Sequence, residues 1–148
     1  MELDRETHTA FSETIESGDL ERMADLATRF PELIDHPDWV PPPLHCAVLW
    51  NQAQAATFLL ERGADIERRD PDRQTTPLRY AILYARCEMI PVLLRHGAES
   101  GCIDPGGATA LELAIEAADG VYEGFDDLPQ RTAYEEVIET LQLWGLRA

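Results

Sequence analysis

Apolar residues in the middle of the chain recur with the spacing of a short amphipathic helix. Leu78, Ala81 and Ile82 fall on one helical face. Thr76 and Pro77 stand directly before them, and a threonine cap followed by a proline suits the first turn of a helix. The pattern therefore predicts a helix that begins at Pro77.

A second apolar stripe follows a few residues later. Met89, Ile90 and Leu93 lie on one face of a second predicted helix, and Gly97 suits the left-handed residue that ends it. Two such short helices bury little surface by themselves. The pattern therefore predicts that this helix pair is stable only when it is stacked on neighbours.

The helix pair is repeated along the chain. Leu44, Leu78 and Leu111 are 34 and 33 residues apart, and Gly63 and Gly97 are again 34 apart. A period of 33–34 residues is typical of repeat proteins built from helix–turn–helix units. We therefore expect an all-α fold of about four such units.

The repeated segments share two motifs. Residues 42–47 read Pro-Pro-Leu-His-Cys-Ala, residues 76–81 read Thr-Pro-Leu-Arg-Tyr-Ala, and residues 109–114 read Thr-Ala-Leu-Glu-Leu-Ala. Residues 59–65 read Leu-Leu-Glu-Arg-Gly-Ala-Asp, and residues 93–98 repeat this pattern. The chain resembles the ankyrin-repeat family, whose signature is Thr-Pro-Leu-His-x-Ala followed by Leu-Leu-x-x-Gly-Ala-Asp. The resemblance implies an ankyrin-repeat solenoid with short loop connections that binds proteins and is not an enzyme.

The resemblance also implies four units within a single domain. The last unit is too long, because Gly97 and Gly145 are 48 residues apart, and we place an insertion near residues 119–134. The helical pattern resumes from Ala133 to Trp144. The units are an N-terminal cap repeat at 5–36, repeats at 37–70 and 71–103, and a C-terminal repeat at 104–148.

The motif histidine occurs in only one unit. The resemblance implies that His45 is structural and bonds to a neighbouring loop, whereas Arg79 and Glu112 replace it in the next two units. We therefore do not expect that histidine bond in those units.

The charge favours a basic partner. Asp and Glu number 28 against 12 basic residues, so the net charge is −16. This balance repels nucleic acid and anionic lipid and speeds association with a basic protein. The alternative is an acidic surface that only keeps the protein in solution.

Residues suited to catalysis or metal binding form no recognisable pattern. Four histidines are scattered, and the thiols of Cys46, Cys87 and Cys102 lack the spacing of a zinc site. Asp126-Asp127 and Asp70-Pro-Asp72 lack the alternating oxygen ligands of a calcium loop. We predict no catalytic residue, no cofactor and no metal.

The polar, acidic N-terminus lacks the features of a secretory signal, and no run of apolar residues is long enough to cross a membrane. These features predict a cytoplasmic protein, with no membrane partner. We also expect a monomer when it is free.

A candidate binding surface follows from the repeat register. Gly18, Asn51, Ala85 and Ala118 mark the predicted turns between the helices of each unit. Ankyrin-like stacks bind through loop tips and through first-helix positions just before these turns. The predicted partner-binding residues are Asp38, Trp39, Leu49, Trp50, Asp72, Arg73, Thr75, Leu83, Tyr84, Glu116 and, in the insertion, Tyr122, Phe125, Asp126 and Asp127. The alternative is that Trp50 or Tyr84 packs between repeats or forms a dimer contact.

Three functions remain open at this point. The leading hypothesis is a stoichiometric inhibitor or antitoxin-like immunity protein that binds a basic effector. The second is an adaptor or regulatory scaffold in a larger complex. The third is an enzyme whose site lies in the 119–134 insertion.

Overall fold

The chain folds into four successive helix pairs. The computed structural model describes residues 3–101, 106–120 and 128–146, and no strand occurs within these ranges. A 3-10 helix at Pro31–Ile34 follows the first pair. The α-helices are α1 (Arg5–Ser17), α2 (Leu20–Arg29), α3 (Pro43–Leu49), α4 (Ala53–Glu61), α5 (Pro77–Leu83), α6 (Met89–Arg95), α7 (Ala110–Ala118) and α8 (Arg131–Leu143).

The helices form two layers. The first helices of the four pairs, α1, α3, α5 and α7, pack side by side in chain order, and α4, α6 and α8 pack in the same order in a second layer. Each first helix also packs on the second helix of its own pair. The predicted all-α ankyrin-type solenoid is confirmed.

Small residues let the first helices pack closely. Ala47, Ala81 and Ala114 occupy the same register position in α3, α5 and α7, and all three are completely buried. Leu59 and Leu93 are their large, fully buried counterparts in α4 and α6. The core is therefore continuous across units, as a stacked repeat requires.

Threonine side chains cap the starts of α5 and α7. The Thr76 hydroxyl accepts a hydrogen bond from the Arg79 N–H at 3.3 Å, as the sequence predicts. In α7 the Thr109 hydroxyl accepts from the Glu112 N–H, while the Glu112 carboxylate accepts from the Thr109 N–H at 2.8 Å. This reciprocal pair is a capping box, which satisfies two backbone donors at once.

The turn between paired helices is the same in three units and different in the fourth. Gly18, Asn51 and Ala85 adopt left-handed backbone angles, with φ of 74°, 54° and 53°. The predicted turn residue Ala118 instead remains inside α7, and Gly120 takes the left-handed angle with φ of 75°. The prediction at Ala118 was wrong because α7 continues through Ala118 and the chain turns only at Gly120.

Candidate protein-binding surface

The first helices end on one side of the stack, where each chain turns towards its second helix. At the end of α3, Trp50 is 55% exposed and Leu49 is half-buried. In the preceding unit Glu16 is exposed on α1, and the Gln52 side-chain amide donates to its carbonyl oxygen at 2.9 Å. This bond ties the turn that follows Trp50 to the end of α1.

The end of α5 is covered, contrary to the sequence prediction. Leu83 has no exposed surface, so it cannot contact a partner as predicted. Tyr134 from α8 reaches across to the end of α5 and donates its hydroxyl hydrogen to the Leu83 carbonyl oxygen. Burial, with Tyr84 nearby, raises the pKa of Tyr134 to about 12, so the phenol keeps its proton and remains a donor.

Tyr84 is part of a row of rings rather than a free surface residue. It is half-buried and stacks on Tyr80, with ring centroids 5.8 Å apart and planes 20° apart. Tyr80 in turn meets the edge of the His45 ring at 5.4 Å. Aromatic pairs of this kind contribute about 0.5–1.5 kcal/mol beyond their buried area. Tyr84 therefore packs on Tyr80 of its own unit, and Tyr80 in turn contacts His45 of the preceding unit.

The end of α7, in the last unit, is exposed and carries a carboxylate. Glu116 on α7 is exposed, and its neighbour Ile115 is 41% exposed. Val48 and Ile82 hold the register position of Ile115 in α3 and α5, and both are completely buried by the unit that follows. We call the residues along this side of the first helices the turn-side row: Glu16, Leu49, Trp50, Tyr84 and Glu116.

The loop before α5 is held by a buried carboxylate. Asp70 is 3% exposed and accepts hydrogen bonds from the Thr75 N–H at 2.9 Å, the Arg73 N–H at 3.3 Å and the Tyr80 hydroxyl at 3.1 Å. Hydrogen bonds to an ionised acceptor are stronger than neutral ones. The carboxylate therefore fixes the loop and leaves Asp72 at its tip, exposed to solvent.

Thr75 belongs to this buried network and not to the binding surface. It has no exposed surface, so its predicted role in partner binding is wrong. The Nε2 of His45 in the preceding unit lies 2.7 Å from the Thr75 carbonyl oxygen, and this nitrogen carries the proton that it donates. Burial lowers the pKa of His45, so its ring is neutral near pH 7.

The two replacements of the motif histidine make hydrogen bonds within their own units. The guanidinium of Arg79 donates from Nη1 to the Thr75 hydroxyl at 2.8 Å and is almost fully buried. Glu112 completes the capping box of α7. At the loop tip, Arg73 is exposed, and its hydrogen bond with Tyr80 raises the pKa of the guanidinium.

The loop tip before α3 is a stack of three rings. Trp39 lies between His8 of α1 and His36, with centroid distances of 3.8 Å and 4.7 Å. Trp39 is therefore half-buried and joins α1 to this loop, while Asp38 beside it is exposed. Burial, assisted by the nearby His36, lowers the pKa of His8. A cavity of about 370 Å³ opens here, lined by Leu3, Asp4, Arg5, His8, Asp38, Trp39 and Val40.

Two family models match the central units. Residues 42–71 match the ankyrin repeat, and residues 59–114 match a model of ankyrin repeats in many copies. The chain belongs to the ankyrin-repeat family. Ankyrin repeats are non-catalytic modules for protein–protein interaction, which identifies proteins as the partners of this chain. No curated protein matches the sequence.

Four predicted binding residues of this ankyrin-repeat protein lie in the insertion. Tyr122, Phe125, Asp126 and Asp127 fall outside the described residues, so their predicted role in binding stays a prediction.

Burial raises the pKa of Cys46 and of Cys87 to about 11, which keeps both thiols protonated and unreactive near neutral pH. Within the described ranges, no helix combines the length and the apolar character that crossing a membrane requires.

The sequence reasoning overlooked part of the ankyrin-repeat surface. It assigned no role to Ile115, although the repeat register places this residue beside the predicted residue Glu116. It also placed Leu83 on the surface, because a register within one unit does not show that Tyr134 of the next unit covers it. Only the length of the last unit signalled that α8 would pack differently.

Proposed function

We propose that this ankyrin-repeat protein binds a basic protein through the turn-side row and its neighbouring loop tips. The observation that carries the proposal is Trp50, which is 55% exposed at the centre of the row. A tryptophan that the fold leaves in solvent is the residue type most enriched at the centre of protein interfaces. Burying it against a partner is the largest single gain that the row offers.

Carboxylates flank this tryptophan on both sides. Glu16 lies one unit before Trp50, and Glu116 lies two units after it. Stacked helices are about 10 Å apart, so the two carboxylates are roughly 30 Å apart across the row. A partner that fits has an apolar pocket or ridge at its centre and cationic side chains towards both ends.

The net charge of the chain also favours a basic partner. Its net charge of −16 attracts a basic protein over a long range and orients it before contact. The proposal extends to function as a stoichiometric inhibitor, such as an immunity protein that covers the active surface of a basic effector. A turn-side row with a single exposed tryptophan suits a complex with one copy of each protein.

The test is capture of the partner from the source cells at about 50 mM salt, with the wild type, Trp50→Ala and Gln54→Ala as three baits. Gln54 is an exposed residue of α4 and serves as the matched control. We expect the wild type and Gln54→Ala to retain one basic protein in a one-to-one complex that Trp50→Ala loses. Equal retention by Trp50→Ala would overturn the site, and several unrelated partners would favour an adaptor.

Salt dependence tests the electrostatic part of the proposal separately. Attraction between exposed charges is screened beyond about 8 Å at physiological ionic strength. The association rate constant of the purified pair should therefore fall about tenfold or more between about 50 mM and 500 mM salt. A rate constant that does not change with salt would remove charge steering from the account.

A further inference from the structure

The second helix of the last unit, α8, ends in different residues from α4 and α6. Gly63, Gly97 and Gly145 follow α4, α6 and α8 with left-handed φ angles of 95°, 88° and 76°, which places the three helix ends in the same register. The two residues before the first two glycines are charged or polar, Glu61-Arg62 and Arg95-His96. Before Gly145 they are Leu143 and Trp144.

Both of these apolar residues are in solvent. Leu143 is 82% exposed and Trp144 is 41% exposed, whereas Leu141 on the other side of α8 is completely buried. Tyr134 and Val137 share that buried side, and they attach α8 to the stack. The fold therefore does not use Leu143 for its own packing.

The exposed face of α8 is acidic up to this apolar end. Glu135, Glu139 and Leu143 are spaced four residues apart and so line one side of the helix, with Glu136 beside them. All three glutamates are exposed, and residues 132–144 contain no arginine. The face offers carboxylates at intervals of about 6 Å that end in an apolar contact.

We propose that this outer face of α8 is a second docking surface, which binds a basic helical segment of another protein. The occupant presents an apolar side chain to Leu143 and Trp144. Its cationic side chains lie one and two turns further along its own helix and contact the three glutamates. A second copy of this chain is a poor occupant, because two α8 faces brought together place like charges in contact.

The surface is independent of the turn-side row. It belongs to the second-helix layer, whereas Trp50 ends a first helix. Variants at Trp50 therefore serve as controls here, and failure of one surface leaves the other untouched.

The test uses a synthetic alanine-based helix of about 18 residues, a length at which such helices are stable. The probe carries arginines at positions i and i+4 and leucines one turn further on. A control probe has the same composition, but its arginines and leucines are spread around the helix instead of lining one face. Binding is followed by backbone amide and indole NMR shifts of the full protein.

We expect the shift changes to concentrate between residues 132 and 146 and at the Trp144 indole. Leu143→Ala combined with Trp144→Ala should weaken binding about tenfold or more and leave the Tm unchanged. Trp50→Ala should bind the probe within about twofold of the wild type, and the control probe should bind weakly to all three proteins.

Three results would overturn the proposal. The first is an affinity of the double variant equal to that of the wild type, and the second is shift changes spread over the whole acidic surface. The third is a concentration-dependent dimer in sedimentation equilibrium that the double variant abolishes, because it would assign the face to a second copy.

Discussion

The ends of α3 and α5 occupy the same position in consecutive units and have opposite surroundings. At the end of α3, Trp50 is 55% exposed, whereas at the end of α5 Leu83 is completely buried and Tyr84 is stacked on Tyr80. The backbone is nearly the same at both ends, since Asn51 and Ala85 follow with φ of 54° and 53°. The difference therefore comes from what covers each end.

Tyr134 is the cover at the end of α5. It comes from α8, and its hydroxyl donates a hydrogen bond to the Leu83 carbonyl oxygen. The repeat register gives the direction in which a side chain leaves its own unit. Its accessibility depends on elements one or two units away. The proposed binding surface is correspondingly concentrated on the earlier units and on the loop tips.

Truncation of Tyr134 should have the largest effect on the stability of the fold. Tyr134 is 1% exposed, and truncation of a buried aromatic ring to alanine costs about 3–5 kcal/mol. We expect Tyr134→Ala to lower the free energy of unfolding by that amount in urea denaturation. Tyr134→Phe keeps the ring, loses the bond to Leu83 and should cost only about 1–2 kcal/mol. Equal, small losses for both would mean that the end of α5 is not covered by this ring.

Tyr84→Ala comes next in size. The ring is half-buried and stacks on Tyr80, so its loss removes a ring pair and part of the buried area. We expect the free energy of unfolding to fall by about 1–3 kcal/mol. Tyr84→Phe, which keeps the stacked ring, is the matched control. A loss below about 0.5 kcal/mol for Tyr84→Ala would restore Tyr84 to the free surface.

Acid should weaken the contact between the second and third units. Burial holds the folded-state pKa of His45 below its ordinary value of 6.5. The unfolded chain therefore binds the proton first, and stability falls as the pH drops through 6.5 towards the folded pKa. Thermal melts between pH 7.5 and pH 5.5 should show a falling Tm.

The matched variant for this effect is His45→Gln, which keeps a donor near Thr75 and does not titrate. We expect a smaller change in Tm over the same pH range. His8→Gln isolates the second histidine whose pKa is lowered, since it acts in the same direction. A His45→Gln protein with the wild-type pH dependence would remove His45 from the explanation.

Trp50→Ala should have the smallest effect on the fold. A surface substitution away from the core changes stability by about 0.5 kcal/mol at most. We expect its urea midpoint to match that of the wild type. A loss of several kcal/mol would show that the Trp50 ring packs between units, which was the alternative left open by the sequence.

The sequence predicts the fold well because its signals are local and repeated. Leu44, Leu78 and Leu111 give the period, and Thr76 with Gly97 gives the bounds of a helix pair. These residues act through caps, backbone angles and one apolar stripe, which any unit shows by itself.

The site is less predictable because it depends on contacts between units. Thr75 has the position of a surface loop residue, but the Asp70 carboxylate and His45, both from the preceding unit, hydrogen-bond to it and bury it. Trp39 has the position of an exposed loop tip, but His8 and His36 enclose it. No pattern within a single unit contains this information.

The most direct test of the central claim measures Trp50→Ala twice, for affinity towards the captured partner and for stability. The account predicts that the Kd rises about 30-fold or more, which corresponds to roughly 2 kcal/mol, while the urea midpoint stays that of the wild type. An unchanged Kd at unchanged stability would contradict the claim that the turn-side row is the binding surface.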